Sequence, residues 1–268
     1  MPQTHPIQLL AIDLDGTLLT SSKQICDKAA EALLALPGRG IRVVIASARP
    51  PRSVRHFYRA MKLDTWQINY NGALIWDEPG RRVVDHCPLD GPLVRELIDE
   101  ARRRFNEVVV ACEILDRWYT DRHEQSHTTE TGRLFRPDVV APLEAFCDRP
   151  VTKLMLLGPE RMISELEPYF AGLSSICAVR GDPDLIQIMN PLVSKATALR
   201  KVAGHYGVPL ERVMAIGDAV NDIPMLEAAG AAVAMDNAPA AVKFVADWVA
   251  PSNNHHGVHA ALERFGLI

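Results

Sequence analysis

Ile7-Gln8-Leu9-Leu10-Ala11-Ile12-Asp13-Leu14-Asp15-Gly16-Thr17-Leu18 opens the chain with a largely apolar run that ends in two carboxylates. Ile7 to Ile12 predicts a buried strand. Side chains two apart on a strand share a face, so Asp13 and Asp15 are expected to leave its end together. Like charges that close raise one pKa unless a cation lies between them. Gly16 frees the backbone for a sharp turn. The carboxyl end of a buried strand is also where an open α/β sheet places its ligands. Taken alone, Asp-x-Asp-Gly reads equally well as a plain turn, because Asp and Gly are common turn residues.

Downstream, Cys26 to Leu36 carries Ala29, Leu33 and Leu36 at helical spacing and is closed by Pro37-Gly38-Arg39-Gly40. A second apolar run, Ile41 to Ala46, ends in Ser47-Ala48-Arg49-Pro50-Pro51, which predicts Ser47 as the N-cap of a helix reaching about Met61. A strand over Gln67 to Tyr70 meets Asn71-Gly72 and then Ala73-Leu74-Ile75-Trp76, a hairpin signature. Wholly apolar strands alternating with helices predict an α/β fold with a doubly wound, mostly parallel sheet.

From about Arg81 the pattern changes. An amphipathic helix (Leu93-Val94, Leu97-Ile98, Ala101) is followed by a strand over Val108 to Cys112 and polar loops over Asp121 to Thr131. A strand over Val151 to Leu157, a helix over Met162 to Phe170 and a strand over Leu185 to Met189 come next. After Pro191 the first pattern resumes, with a helix over Ser194 to Tyr206 and a strand over Val213 to Ile216 that runs into Gly217-Asp218-Ala219-Val220-Asn221-Asp222. A helix over Pro224 to Ala229, a strand over Ala231 to Ala234 and a helix over Ala238 to Val245 complete it. Residues 1–81 and 186–268 are therefore expected to form one core, interrupted by an α+β module over 82–185.

Composition narrows the partners. At 268 residues the chain suits one large domain or two ordinary ones, and 48% hydrophobic with 23% charged residues is a soluble globular composition. A net charge of −4 without a basic tract leaves no nucleic-acid footprint, and Arg102-Arg103-Arg104 reads as the solvated face of a helix. No apolar run approaches the roughly 18 residues of a membrane span, and Met1-Pro2-Gln3-Thr4-His5-Pro6 lacks the order of a secretory signal. Five scattered cysteines, never in Cys-x-x-Cys spacing, argue against a disulfide framework or a zinc site. The expectation is a cytoplasmic protein with reduced thiols and neither membrane nor nucleic-acid partners; the oligomeric state leaves no mark in the sequence.

Four groups fall where strands should end or helices begin: Asp13 with Asp15, Ser47, Lys195, and Asp218 with Asn221 and Asp222. Singly, each has a plain structural reading, Ser47 as a helix cap and Gly217-Asp218 as a turn. Together they fit one chemistry. Clustered oxygens from Asp13, Asp15 and Asp218 suit magnesium, a hard ion held by a few carboxylates, water and substrate phosphate. The Ser47 hydroxyl, the Lys195 ammonium and helix N-terminal amides suit the remaining phosphate oxygens. One carboxylate can attack phosphorus to give an aspartyl phosphate, and the second can protonate the leaving oxygen and then activate water.

The ordered set resembles the haloacid-dehalogenase superfamily of phosphohydrolases, in its Cof-type subclass IIB. Asp13-Leu14-Asp15-Gly16-Thr17-Leu18 resembles the first motif of that family, which implies Asp13 as nucleophile and Asp15 as general acid/base. Ser47-Ala48-Arg49 resembles the second, with Ser47 on phosphate, and Val193-Ser194-Lys195 the third, with Lys195 steadying Asp13 and the phosphate. Gly217-Asp218-Ala219-Val220-Asn221-Asp222 resembles the fourth. It implies Asp218 as a Mg2+ ligand beside the Asp13 carboxylate and the Asp15 backbone carbonyl, with Asn221 and Asp222 next to phosphate or metal. Asn71-Gly72-Ala73 and Met235-Asp236-Asn237-Ala238 resemble two further family segments, and the family carries an α+β cap domain between its second and third motifs. The chain departs from the pattern at Ala48 and Ala196, where glycines are common, and at Ala219-Val220, Asp236 and His256, which bears on loop geometry and metal affinity.

His123 and His127 are four apart and suit a metal if helical, yet their polar surroundings read better as a solvated loop. The resemblance implies a Mg2+-dependent phosphatase of small phosphorylated metabolites, with sugar phosphates the first expectation. A phosphomutase on a similar fold and a phosphoacceptor regulator are the alternatives. The regulator fits less well, because receiver domains lack an acid/base two residues beyond the phosphorylated Asp.

Overall fold

The computed structural model describes residues 6–122 and 136–268; His123 and His127 lie outside them. In chain order the elements are β1 (Leu9–Ile12), α1 (Asp27–Ala35), β2 (Arg42–Ile45), α2 (Pro51–Ala60), β3 (Gln67–Asn69), β4 (Leu74–Asp77) and β5 (Arg82–His86). Then come α3 (Gly91–Arg104), β6 (Val109–Ile114), β7 (Arg117–Thr120), β8 (Val139–Val140), β9 (Lys153–Leu157), α4 (Glu160–Ala171), β10 (Cys177–Asp182) and β11 (Leu185–Met189). The last are α5 (Lys195–His205), β12 (Val213–Gly217), α6 (Ile223–Ala228), β13 (Ala231–Met235), α7 (Ala240–Val245), β14 (Trp248–Ala250) and α8 (Gly257–Arg264). They fall into two compact units, one joining the chain up to Val84 with Ser194–Ile268, the other Asp85–Val193.

In the first unit five parallel strands run in the order β14-β13-β12-β1-β2. β1 is buried along its whole length, and its alternate side chains feed two cores. Leu10 and Ile12 pack with Leu33 of α1, Phe57 of α2 and Leu262 of α8. Leu9 and Ala11 pack with Leu199 of α5, Leu226 of α6 and Val242 of α7. Helices on both faces explain why the strands are apolar without alternation. The strand order reverses at β1, with β2 on one side and β12 on the other, and such a switch point opens a crevice at the carboxyl ends of the strands. Beyond β2, a parallel bridge between Ala46 and Ile68 adds β3, which pairs antiparallel with β4.

Ser47 is not a helix cap. Pro50 precedes Pro51 and is forced extended (φ −68, ψ 159), so α2 starts only at Pro51 and Ser47-Ala48-Arg49 is left as a loop. β14 and α8 lay outside the expected elements, the first being short and half-exposed, the second preceded by a polar loop.

In the second unit six strands run β10-β11-β9-β6-β7-β8, antiparallel except for the β7–β8 pair. α3 and α4 supply Leu97, Ile98, Leu166 and Phe170 to one core with Val110, Leu154 and Ile186, the segregated arrangement of an α+β fold. β11 pairs with β9 and β10, so the chain returns to the first unit at Ser194 rather than at residue 186. All five cysteines are free thiols, and among the described residues no helix is long and apolar enough to cross a membrane.

His86 makes this unit sensitive to acid. The Thr152 hydroxyl oxygen accepts from the Leu115 N–H (2.8 Å) and shares a hydrogen bond with His86 Nε2 (2.9 Å). Burial holds the His86 pKa below its usual value, against a smaller upward push from Asp85. The unfolded chain then binds protons more readily, so His86 costs no stability well above its unfolded pKa and an increasing amount as pH falls through and below it. In chemical denaturation at pH 7.5 and 5.5, the wild type should lose more stability over that interval than His86→Gln. Equal losses would contradict the assignment.

Candidate active site

The switch point brings β1 and β12 side by side, and the Asp13 N–H continues their ladder onto the Ile216 carbonyl (3.0 Å). Asp13 is buried at the strand end. The chain then turns through Gly16 at φ +81, and a Cβ there would lie 2.2 Å from Asp218 Oδ2, so both the conformation and the close approach require glycine. Thr17 Oγ1 donates to Asp218 Oδ1 (2.7 Å). Asn237 Nδ2 donates to the Gly16 carbonyl (2.8 Å) and to Asp218 Oδ2 (3.3 Å). The last residue of β12, Gly217, is equally constrained, since a Cβ would meet the Asp222 side chain at 2.6 Å.

Lys195 enters from the first turn of α5, whose N-cap, Ser194, accepts from the Thr197 N–H (3.0 Å). A cation is electrostatically misplaced at a helix N-terminus. Here it is fully buried and donates to Asp13 Oδ1 and to Asp222 Oδ1, each at 2.5 Å. Asp222 Oδ2 accepts from the Asp218 and Ala219 N–H groups at 3.0 and 2.9 Å. Both oxygens of Asp222 are thus engaged within the protein. Because Ala219 contributes only its main chain, the departure at that position leaves the loop intact; Val220 points its apolar side chain to solvent, 63% exposed.

Asp15 faces other partners. Arg49 donates Nε to Oδ2 and Nη2 to Oδ1, both at 2.6 Å, and Lys23 Nζ donates to Oδ1 at 2.7 Å. The planar guanidinium matches a carboxylate in such a bidentate pair. Ser47 is buried beside this loop and accepts from the Arg49 N–H (3.2 Å). Asn221 is exposed and donates from Nδ2 to Asn71 Oδ1 (2.8 Å). Arg49, Lys23, Asn71 and Asn237 carried no individual role in the site expected from the sequence. Arg49 was within reach of that reading, because a carboxylate beside a strand end needs a cation; Lys23 carries no comparable signal. The other departures serve locally: Asp236 pairs with Lys243 (2.9 Å), and His256 takes the left-handed conformation ahead of α8, with Nδ1 3.4 Å from Cys26 Sγ.

The carboxylates therefore differ sharply. Burial pushes Asp13 up to about 8; the Lys195 ammonium opposes this, while Asp222 and Asp218 reinforce it. Burial likewise raises Asp218, to about 6, against its bond from Thr17 and with the added charge of Asp222. Burial also acts upward on Asp15, but Arg49 and Lys23 outweigh it and hold that carboxyl below its usual value. Lys195 is disfavoured by burial as a cation, yet Asp13 and Asp222 raise its pKa and keep it charged. Carboxylate oxygens of Asp13, Asp218 and Asp222 lie within 4.8 Å of one another. One ammonium does not neutralise three acids, and an all-oxygen set in which Asp13 and Asp218 carry raised pKa values fits a hard divalent cation.

Comparison with known proteins gives the family. A family described as haloacid dehalogenase-like hydrolases matches residues 10–262, and the chain belongs to it. The 5-amino-6-(5-phospho-D-ribitylamino)uracil phosphatase YitU of Bacillus subtilis (strain 168) is 32% identical over 274 residues, covering 98% of each chain. Among solved structures, a haloacid dehalogenase-like hydrolase from Bacteroides thetaiotaomicron aligns with a TM-score of 0.86 at 26% identity, covering 96% of this chain and 99% of that one. The phosphatase BT1666 from the same organism aligns with a TM-score of 0.81 at 30% identity, over 99% and 97%.

Removing the buried cation strands two buried carboxylates. Lys195→Met should therefore destabilise the protein by about 3–5 kcal/mol in chemical denaturation. A variant as stable as the wild type would show that the ion triad does not hold this region together.

Proposed function

We propose that the chain is a phosphatase that hydrolyses small phosphorylated metabolites through an aspartyl phosphate on Asp13, with Mg2+ as cofactor. The observation that carries the reading is the unequal treatment of two neighbouring acids. Asp13 is held against Lys195 at the end of β1, whereas Asp15 is drawn aside by Arg49 and Lys23. Two carboxylates with different partners can divide nucleophilic and proton-transfer roles, and a divalent cation held beside Asp13 would offset the burial that raises its pKa and leave it ionised for attack.

In this reading Asp13 attacks phosphorus as the ester P–O bond breaks. Asp15 gives a proton to the leaving oxygen, then takes one from the water that hydrolyses the acyl phosphate and regenerates the Asp13 carboxylate. Arg49 and Lys23 keep Asp15 ionised beforehand; the negative phosphate arriving beside it raises its pKa, so that Asp15 takes up a proton from the substrate monoanion or from water as the substrate binds, and this is the proton it passes to the leaving oxygen. Ser47, Lys195 and Asn221 receive the phosphate oxygens. Asp13, the Asp15 backbone carbonyl and Asp218 would hold the metal, which supplies charge neutralisation on the transferring phosphoryl group. Asp222, with both oxygens engaged, fixes Lys195 and the Asp218 loop rather than binding metal directly.

Substrate selection is assigned to the Asp85–Val193 unit, the α+β insert that separates Val84 from Ser194. Sugar phosphates remain the first candidates. The relative named for a phosphoribitylamino substrate supports the same chemical class, a phosphate ester on a polyhydroxylated carbon chain.

Purified protein with Mg2+ should release inorganic phosphate from p-nitrophenyl phosphate and from sugar phosphates, and Asp13→Asn should abolish release. Asp15→Asn should lower kcat by about 10²–10⁴-fold. Phosphorus NMR should show free phosphate; isomerised sugar phosphate without it would make the protein a mutase, and no turnover at all would refute both.

The metal assignment has a readout of its own. A ligand that binds only the folded state raises its stability. Mg2+ added to chelator-treated protein should raise the thermal midpoint, and Asp218→Asn should remove most of that increase. An undiminished increase in the variant would place the ion elsewhere.

A further inference from the structure

The connection between β3 and β4 is more elaborate than a chain reversal requires. The strand register ends at Asn69 opposite Leu74, and a two-residue Asn-Gly turn is sufficient for a hairpin. Instead Tyr70, Asn71 and Gly72 take positive φ in succession, at 49°, 56° and 105°. Positive φ is uncommon for a bulky residue such as Tyr70, which is fully buried, and such conformations persist only where the surroundings over-determine them.

What surrounds the turn is the set of groups assigned to phosphate. The Asn71 N–H donates to the Ser47 carbonyl (3.0 Å), and the Tyr70 N–H to the Arg49 carbonyl (3.4 Å), so the turn fixes the loop that carries Ser47. At Gly72 a Cβ would lie 2.3 Å from the Ser194 carbonyl, so the same turn seats directly on the residue before Lys195. The Asn71 side chain completes the set by accepting from Asn221 Nδ2 at 2.8 Å. A primary amide has two N–H donors in one plane. With one given to Asn71, the plane of the Asn221 amide is set, and the second N–H is the one left for a phosphate oxygen.

We infer that Asn71 is a positioning residue: it orients Asn221 for phosphate, from a turn that also registers the Ser47 loop and the start of α5. The inference rests on the phosphatase reading. Asn221 is exposed, so without Asn71 its side chain would sample several rotamers and would have to be ordered by each incoming phosphate. The cost falls on binding rather than on chemistry.

The test is a double-mutant cycle of Asn71→Gly and Asn221→Ala. Glycine keeps the left-handed conformation without strain and deletes only the amide. Asn71→Gly should raise both KM for p-nitrophenyl phosphate and the inhibition constant of inorganic phosphate by about three- to tenfold, the ordering cost of one side chain, while kcat and the thermal midpoint hold. In the Asn221→Ala background the same change should add nothing, because Asn71 acts through Asn221. Unchanged phosphate inhibition, a loss confined to kcat and thermal midpoint, or additive effects would each overturn the inference. A wild type that neither turns over p-nitrophenyl phosphate nor binds phosphate would instead fail the phosphatase reading, and the inference with it, before any variant is compared.

Discussion

The ammonium of Lys195, buried between Asp13 and Asp222, is the interaction on which the site depends. Desolvating a charge is expensive unless opposite charges and hydrogen bonds replace the lost water. Lys195 meets that requirement with two carboxylates, and in return it allows both to be buried at the end of a sheet. It also joins parts of the chain far apart in sequence, the first strand, the helix that follows the inserted unit and the loop after β12. The ion triad is thus a tertiary constraint as well as a chemical one.

It is not sufficient alone. Asp13, Asp218 and Asp222 bring more negative charge than one ammonium offsets, and this adds to burial, the larger cause, in raising the pKa values of Asp13 and Asp218. The backbone keeps the arrangement from relaxing. Gly16 and Gly217 each stand where a Cβ would strike a neighbouring aspartate, so the two strand ends close on the acids instead of spreading away from them. Thr17, Asn237 and the Asp218 and Ala219 N–H groups then supply hydrogen bonds to the oxygens that Lys195 does not reach.

Much of this was legible in the chain. Apolar strands without alternation pointed to a sheet covered on both faces, and β1 sends Leu10 and Ile12 to one core and Leu9 and Ala11 to the other. Local signals failed where neighbours decided the outcome. Ser47 has the chemistry of a cap, but the second of two prolines set the helix start. β14 and α8 were missed because a three-residue strand and a helix behind a polar loop carry weak periodicity. Arg49 and Asn237 act through contacts across tens or hundreds of residues, which no spacing within one element encodes.

The opening pair shows how a correct period can mislead. Side-chain alternation was expected to place Asp13 and Asp15 together and set them in mutual repulsion. β1, however, ends at Ile12, and the turn through Gly16 begins before alternation can act. Asp13 continues the ladder to β12 and takes its repulsion from Asp222 and Asp218, while Asp15 is bound by Arg49 and Lys23 and carries a lowered pKa. Separation by partner is what makes two like residues chemically different. A shared environment would have left a coupled dyad titrating as one unit. Burial of Asp13 and the two cations on Asp15 give each acid its own charge state, and that difference is fixed by where the strand stops and the glycine turn starts.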